Sequence, residues 1–265
     1  MNIIQSILTK NPCYTSGRKI TPKGLMLHSV GCPQPKASVF VTNWNKASYD
    51  RACVHAFIDA NTGDVYQTLP WDHRGWHCGS GSKGSANNTH IGVEMCEPSS
   101  IKYTGGATFT CTNKATAQAA AKRTYQSAVD LFAQLCQQYN LDPLKDGVII
   151  SHKEGHARGL ASNHGDPEHL WTQLGLPYTM DTFRAAVKAK LGEATATPTP
   201  APAFTPYQVK VTATALNIRS GPGTTYKITG CIKDQGVYTI VEESGTWGKL
   251  KSGAGWISLA YTKKR

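Results

Sequence analysis

Four histidines and three carboxylates crowd residues 151–171, SHKEGHARGLASNHGDPEHLW: His152, His156, His164 and His169, with Glu154, Asp166 and Glu168. The segment directly follows the apolar run Val148-Ile149-Ile150. A buried strand that delivers nitrogen and oxygen donors into a loop is a common way to build a metal or acid/base site. A further donor, His28, closes another apolar run at 23–30, KGLMLHSV. If the two strands neighbour in one sheet, His28 and His152 emerge at the same edge. Catalytic zinc takes three protein ligands from His, Asp, Glu or Cys and keeps one position open for water. Asp166, followed by Pro167, is the natural third ligand. By spacing alone, His156, four residues after His152 as on a helix face, and Cys32 are rivals. The rest of the nine histidines read first as hydrogen-bonded structural residues.

The elements that must position these groups follow from hydrophobic patterning. Ile3, Ile4, Ile7 and Leu8 fall at helical spacing after Asn2, a residue suited to an N-cap, and predict a short opening helix. Residues 23–30 read as a buried strand, and Val39, Phe40 and Trp44 as a helix. Segments 53–59 and 64–69 flank Ala60-Asn61-Thr62-Gly63 and predict a hairpin. A strand at 90–95, HIGVEM, follows a Gly/Ser/Asn loop at 79–88. Apolar residues at 121, 125, 128, 132, 135 and 139 predict a long amphipathic helix over 116–139. A strand at 148–151 and a helix at 182–191, stopped by Gly192, complete an α/β domain over 1–192, a mixed central sheet flanked by helices.

Residues 193–206, EATATPTPAPAFTP, alternate Pro with small residues and read as a semi-rigid extended linker. Beyond it, over 207–265, six short β segments separated by Gly-rich turns predict a small all-β barrel.

Composition narrows the partners. Lys plus Arg number 28 and Asp plus Glu 17, a net charge of +11 that favours polyanions such as nucleic acid, anionic membrane or cell-wall polymer. The basic residues are scattered, with only Lys263-Lys264-Arg265 forming a run, and no nucleic-acid motif accompanies them. Nucleic acid is therefore not an expected partner. The eight cysteines contain no CxxC pair, and MNIIQSILTKNPC lacks the basic and apolar regions of a signal peptide. The chain thus reads as made and folded in a reducing cytoplasm, with most cysteines as small buried hydrophobes. No stretch approaches the ~18 apolar residues of a membrane span.

Five ordered blocks resemble the zinc-dependent N-acetylmuramoyl-L-alanine amidases of the type-2 family, which share their fold with peptidoglycan-recognition proteins. They are GLMLHSV, VHAFIDANTGDVYQTLPWDHRGWHCG, NNTHIGVEMCE, SHKEGHARG and HGDPEHLW, spread over about residues 22–175. The resemblance implies metal ligands at His28, His152 and Asp166, and a catalytic acid at Glu94. A Glu among Ile91, Val93 and Met95 also sits in an unfavourable apolar setting unless it has a task. Many relatives carry a transition-state-stabilising Lys two residues before the last ligand; this chain has His164 there. His55 and His77 match recurrent family histidines that line the groove or support the fold, Trp71, Trp76 and Asn88 are candidates for shaping that groove, and Glu154 for orienting His152.

The barrel segments ALNIRSGPGTTYKITGCIK, VYTIVEES, TWGKL and GAGWISLAY resemble the bacterial SH3 domain, a module that attaches wall hydrolases to peptidoglycan. Trp247, Trp256 and Tyr261 are its candidate stacking residues, and nine basic against three acidic residues give it a charge of +6. The expectation is a monomeric peptidoglycan hydrolase with Zn2+ as cofactor, cleaving between N-acetylmuramic acid and L-alanine. Without a signal peptide it reads as a phage or prophage endolysin acting on the wall of a Gram-positive host. A non-catalytic peptidoglycan binder and a wall endopeptidase are the alternatives.

Overall fold

The computed structural model describes residues 1–195 and 204–265. They fall into two compact units, Met1–Thr195 and Ala196–Arg265. Most of the expected linker, residues 196–203, lies outside the described residues.

The first unit is built on a six-stranded sheet. Its strands are β1 (Ile3–Gln5), β2 (Gly24–Ser29), β3 (Ala56–Ile58), β4 (Val65–Gln67), β5 (His90–Met95) and, after a two-stranded ribbon of β6 (Ile101–Gly105) and β7 (Thr108–Cys111), β8 (Ile149–Ser151). The order is β1-β4-β3-β5-β2-β8, and every neighbouring pair is parallel except β3 with β4. Six helices accompany it: α1 (Pro12–Thr15), α2 (Ala37–Trp44), α3 (Lys114–Gln138), α4 (His152–Ala157), α5 (Glu168–Leu174) and α6 (Met180–Thr195). All six residues of β2 are buried, as in a parallel strand covered on both faces.

Helix α3 starts where the Asn113 side chain accepts from the Thr116 amide. Ala117, Ala121, Ala128, Phe132 and Leu135 then recur at 3.6-residue spacing and pack with Leu25, Leu27, Ile91 and Val93 of the sheet. Trp171 of α5 closes this core with no exposed surface, edge-on to Tyr125, and its indole N–H has no protein partner. Trp171→Ala should cost about 3–5 kcal/mol in urea unfolding. Trp171→Phe should cost distinctly less, because it removes an unpaired buried donor along with part of the ring.

Two local expectations fail. Residues 3–5 form an edge strand and not a helix: Ile3 pairs with Val65, and the Val65 amide donates to Asn2 at 2.8 Å. A short run of β-branched residues fits either period, and the open edge of β4 decides it. Gly192 does not stop α6, which continues to Thr195. A helical Gly costs only about 1 kcal/mol, too little to end a helix already anchored by buried Phe183 and Val187.

The second unit is an antiparallel seven-stranded sheet: β9 (Tyr207–Val211), β10 (Leu216–Arg219), β11 (Ile228–Ile232), β12 (Val237–Ser244), β13 (Trp247–Leu250), β14 (Trp256–Ser258) and β15 (Thr262–Lys264). The order is β11-β10-β14-β13-β12-β9-β15. Val209, Val211, Leu216, Ile232, Ile240, Leu250 and Ile257 fill its core. The seventh strand has no apolar pattern to announce it; its backbone pairs with β9 while its lysines stay exposed. Trp256 is a core residue, Trp247 is half-buried and Tyr261 is exposed. Among the described residues, no helix is long and apolar enough to cross a membrane.

Candidate active site

Strand order explains how distant residues meet. β2 lies between β5 and β8, with Leu27 opposite Ser151 and His28 opposite Glu94. His28 therefore ends its strand beside the start of α4, where His152 is the first helical residue. Ser151 caps that helix reciprocally with Glu154: the Ser151 hydroxyl accepts from the Glu154 amide at 3.0 Å, and the Glu154 carboxylate accepts from the Ser151 amide at 3.1 Å. Glu154 also holds Arg184 through both oxygens. It thus anchors the backbone that carries His152 and does not bond the His152 ring.

His28, His152 and Asp166 converge, all buried. His28 Nδ1 lies 3.1 Å from His152 Nδ1 and 3.3 Å from Asp166 Oδ2, and His152 Nδ1 lies 3.6 Å from Asp166 Oδ1. Four ligands at about 2.0–2.1 Å around tetrahedral zinc stand roughly 3.3 Å apart, so these three donors have the spacing of one tetrahedral face. The chemistry fits as well: two imidazole lone pairs directed at each other and a carboxylate need a cation or protons between them. The spacing-based rivals are elsewhere. His156 is exposed on α4, its Nδ1 3.3 Å from the Ala161 carbonyl, and Cys32 does not join the cluster.

Electrostatics around the three donors are uneven. Burial, reinforced by the neighbouring His28, pulls the His152 imidazole down to about 3. Burial alone would raise Asp166, but the neighbouring imidazoles of His28 and His152 hold its carboxyl below the ordinary range. Glu94 moves the other way: burial, then the negative charges of Asp166 and Glu97, push it well above the usual carboxylate pKa. Its Oε2 is buried without a protein partner.

Glu94, His152 and Asp166 open into a cleft of ≈ 520 Å³ lined also by His77, Tyr103, His164 and His169. His164 is exposed on the turn before Asp166, with Nδ1 3.1 Å from His152 Nε2 and 3.2 Å from the Ser162 hydroxyl. His77 sits behind His28, its Nδ1 3.0 Å from His28 Nε2. Burial, then the neighbouring imidazoles, hold His77 well below its ordinary pKa.

The other residues expected at the groove are not brought to the cleft. His55 is fully buried behind it, bonded through Nε2 to the His73 carbonyl and through Nδ1 to the Gly92 amide, and burial lowers its pKa to about 4. It supports the fold. Trp71 stacks on His55 and packs against the main core, and Trp76 packs near Leu8, Cys53 and Leu69. Asn88 accepts from Arg74 on the surface.

One cleft wall was not foreseen. Glu97, completely buried, accepts from the Gly31 amide and from the Tyr103 hydroxyl at 2.8 Å, while Tyr103 Oη lies 2.7 Å from His169 Nε2. Burial, with Asp166 nearby, raises Glu97 to about 7. The signal for this wall was the Gly105-Gly106 turn between alternating Ile101, Tyr103 and Phe109, Cys111, which form the β6–β7 hairpin.

A mixed sheet that gathers titratable side chains at one end of its parallel strands, beside a cleft, has the layout of an α/β enzyme. The chain belongs to the N-acetylmuramoyl-L-alanine amidase family, whose model matches residues 17–169, more than half its length. Residues 214–263 match the bacterial SH3 domain. XlyA of Bacillus subtilis, an N-acetylmuramoyl-L-alanine amidase, is 30% identical over 97 residues, which are 37% of this chain and 32% of that protein. CwlH of the same organism, also an N-acetylmuramoyl-L-alanine amidase, is 52% identical over 33 residues, 12% of this chain and 13% of that one. The chain thus spans about a third or less of the curated relatives it matches. Among solved structures, the Staphylococcus aureus hydrolase AmiA, crystallised with its ligand, superposes with TM-score 0.50 at 21% identity, covering 72% of this chain and 83% of that one. The PlyG catalytic domain gives TM-score 0.50 at 19% identity, covering 76% and 99%. These two likenesses speak for the fold.

Proposed function

We propose that this protein is a zinc-dependent peptidoglycan hydrolase that cleaves the amide between N-acetylmuramic acid and the L-alanine of the stem peptide. The observation that carries the reading is the cluster of His28, His152 and Asp166 with Glu94 beside it, in a chain of the amidase family. His28 Nδ1, His152 Nδ1 and the Asp166 carboxylate would hold the metal. Zinc bound there supplies Lewis acidity, lowering the pKa of a water and polarising the amide carbonyl.

The chain's own residues do the rest. Glu94, raised in pKa and with one oxygen unpartnered, accepts the proton of the attacking water and delivers it to the leaving amine of L-alanine. Because His152 presents Nδ1 to the cluster, its Nε2–H donates to His164 Nδ1. His164 is thereby left with its Nε2–H to donate to the developing oxyanion, a role that does not require the full charge of the Lys in many relatives. Tyr103 and His169 form the opposing polar wall of the cleft.

The barrel tethers this unit to the wall and raises its effective concentration near its bonds, with Trp247 and Tyr261 as candidate contacts and a charge of +6 suited to an anionic polymer. The division suited to this reading is 1–192 for the catalytic domain, 193–206 for the linker and 207–265 for the barrel, with the last catalytic-domain helix running on to Thr195. A phage or prophage endolysin acting as a monomer on a Gram-positive wall, made in the host cytoplasm, is the setting these features suit.

Digestion of purified Gram-positive wall tests the reading. New amino termini of L-alanine should appear, and chelation should abolish their release. New termini at other stem residues would make the enzyme an endopeptidase, and binding without release would make it a recognition protein.

A further inference from the structure

On the reading that His28, His152 and Asp166 hold zinc, we infer that His77 is a positioning residue that fixes His28 in the tautomer presenting Nδ1 to the metal. The hydrogen bonds through His77 have a direction, because the group at their far end can only accept. His77 Nε2 lies 3.1 Å from the His90 carbonyl oxygen, so Nε2 carries the proton. The ring is buried and packs edge-on against the imidazoles of His28 and His55, a setting that favours its neutral form. Its Nδ1 is then a bare acceptor, 3.0 Å from His28 Nε2. Donation into that acceptor places a His28 proton on Nε2 and leaves Nδ1, the atom that faces His152 and Asp166, for the metal. One backbone carbonyl, acting through two rings, selects the nitrogen that enters the donor cluster.

Two further features hold His77 in place. Its ring lies against Gly92 in the middle of β5, where an added Cβ would come within 2.4 Å of His77 Cγ. A side chain at 92 would displace the ring, which accounts for a glycine inside a central strand. The amides of His77 and Cys78 both donate to Oδ1 of buried Asn87, at 2.8 and 3.2 Å. Outer partners of this kind orient metal-binding histidines and raise their basicity.

The test measures zinc affinity of the full-length chain by competition with a chromogenic chelator, for wild type, His77→Leu and His77→Asn. Leucine fills the space but cannot accept; asparagine keeps a carbonyl oxygen near the Nδ1 position. His77→Leu should weaken zinc about 10–100-fold, while His77→Asn should stay within a few-fold of wild type. Equal affinity for all three, or equal loss in both folded variants, overturns the inference. The tautomer is also read directly in the unsubstituted, metal-free chain, by long-range ¹⁵N–¹H correlation of His28 at about pH 8.5, well above the ordinary histidine pKa. A proton on Nε2 is expected, and a proton on Nδ1 overturns the inference even where His77→Leu does not fold. Failure of wild type to bind zinc would instead sink the metal reading, and the tautomer measurement distinguishes the two failures.

Discussion

Glu94→Gln should lower the release of L-alanine amino termini by about 10²–10⁴-fold while leaving zinc affinity and fold intact, because it removes the proton acceptor and little else. Glutamine keeps the shape of the side chain opposite His28 on β5. A second readout separates this role from mere structure. The Glu94 carboxyl is raised by burial and by the charges of Asp166 and Glu97, so its folded pKa lies above its unfolded one. Such a group contributes stability below its unfolded pKa, and the contribution is lost as pH rises through its folded pKa. In the metal-free chain, urea midpoints should therefore show Glu94→Gln more stable than wild type at pH 8, with the gap closing as pH falls toward 4. An active glutamine variant would remove Glu94 from the mechanism. A gap that widens in acid would contradict the environment assigned to it.

That environment was half legible in the sequence. A Glu in the apolar strand HIGVEM is conspicuous, and a His at the end of each of two apolar runs announces a shared sheet edge if the strands are neighbours. The register makes them so, with Leu27 opposite Ser151. What local pattern could not convey is which side of a strand faces the cleft and which lies in the core. His55 and His77 look alike in sequence, yet one is sealed behind the sheet by backbone bonds and the other backs His28. The wall of Tyr103 and His169, backed by Glu97, joins residues far apart in the chain and depends on the β6–β7 hairpin returning over the cleft. Ile3 and Ile4 show the same limit at the fold's margin, since only the open edge of β4 makes them a strand.

Asp166→Asn supplies the complementary test. It exchanges a carboxylate for a neutral amide of the same size, 3.3 Å from His28 Nδ1, and leaves the two imidazoles in place. Outer-shell changes at metal sites cost about 10–100-fold in affinity, and loss of a direct carboxylate ligand should exceed the upper end of that range. Hydrolysis at low zinc should fall to the level of chelated wild type. Mass action then distinguishes ligand from base. Excess zinc repopulates a weakened site and should recover part of the activity of Asp166→Asn, whereas Glu94→Gln, which binds the metal but cannot take the proton, should not respond. Rescue of both variants by zinc would place Glu94 in the metal site. Rescue of neither, with zinc affinity unchanged in Asp166→Asn, would remove Asp166 from it. The separation holds because the two carboxylates, though each acts electrostatically on the other, have opposite surroundings: histidines hold the Asp166 carboxyl low, and burial beside like charge holds Glu94 high.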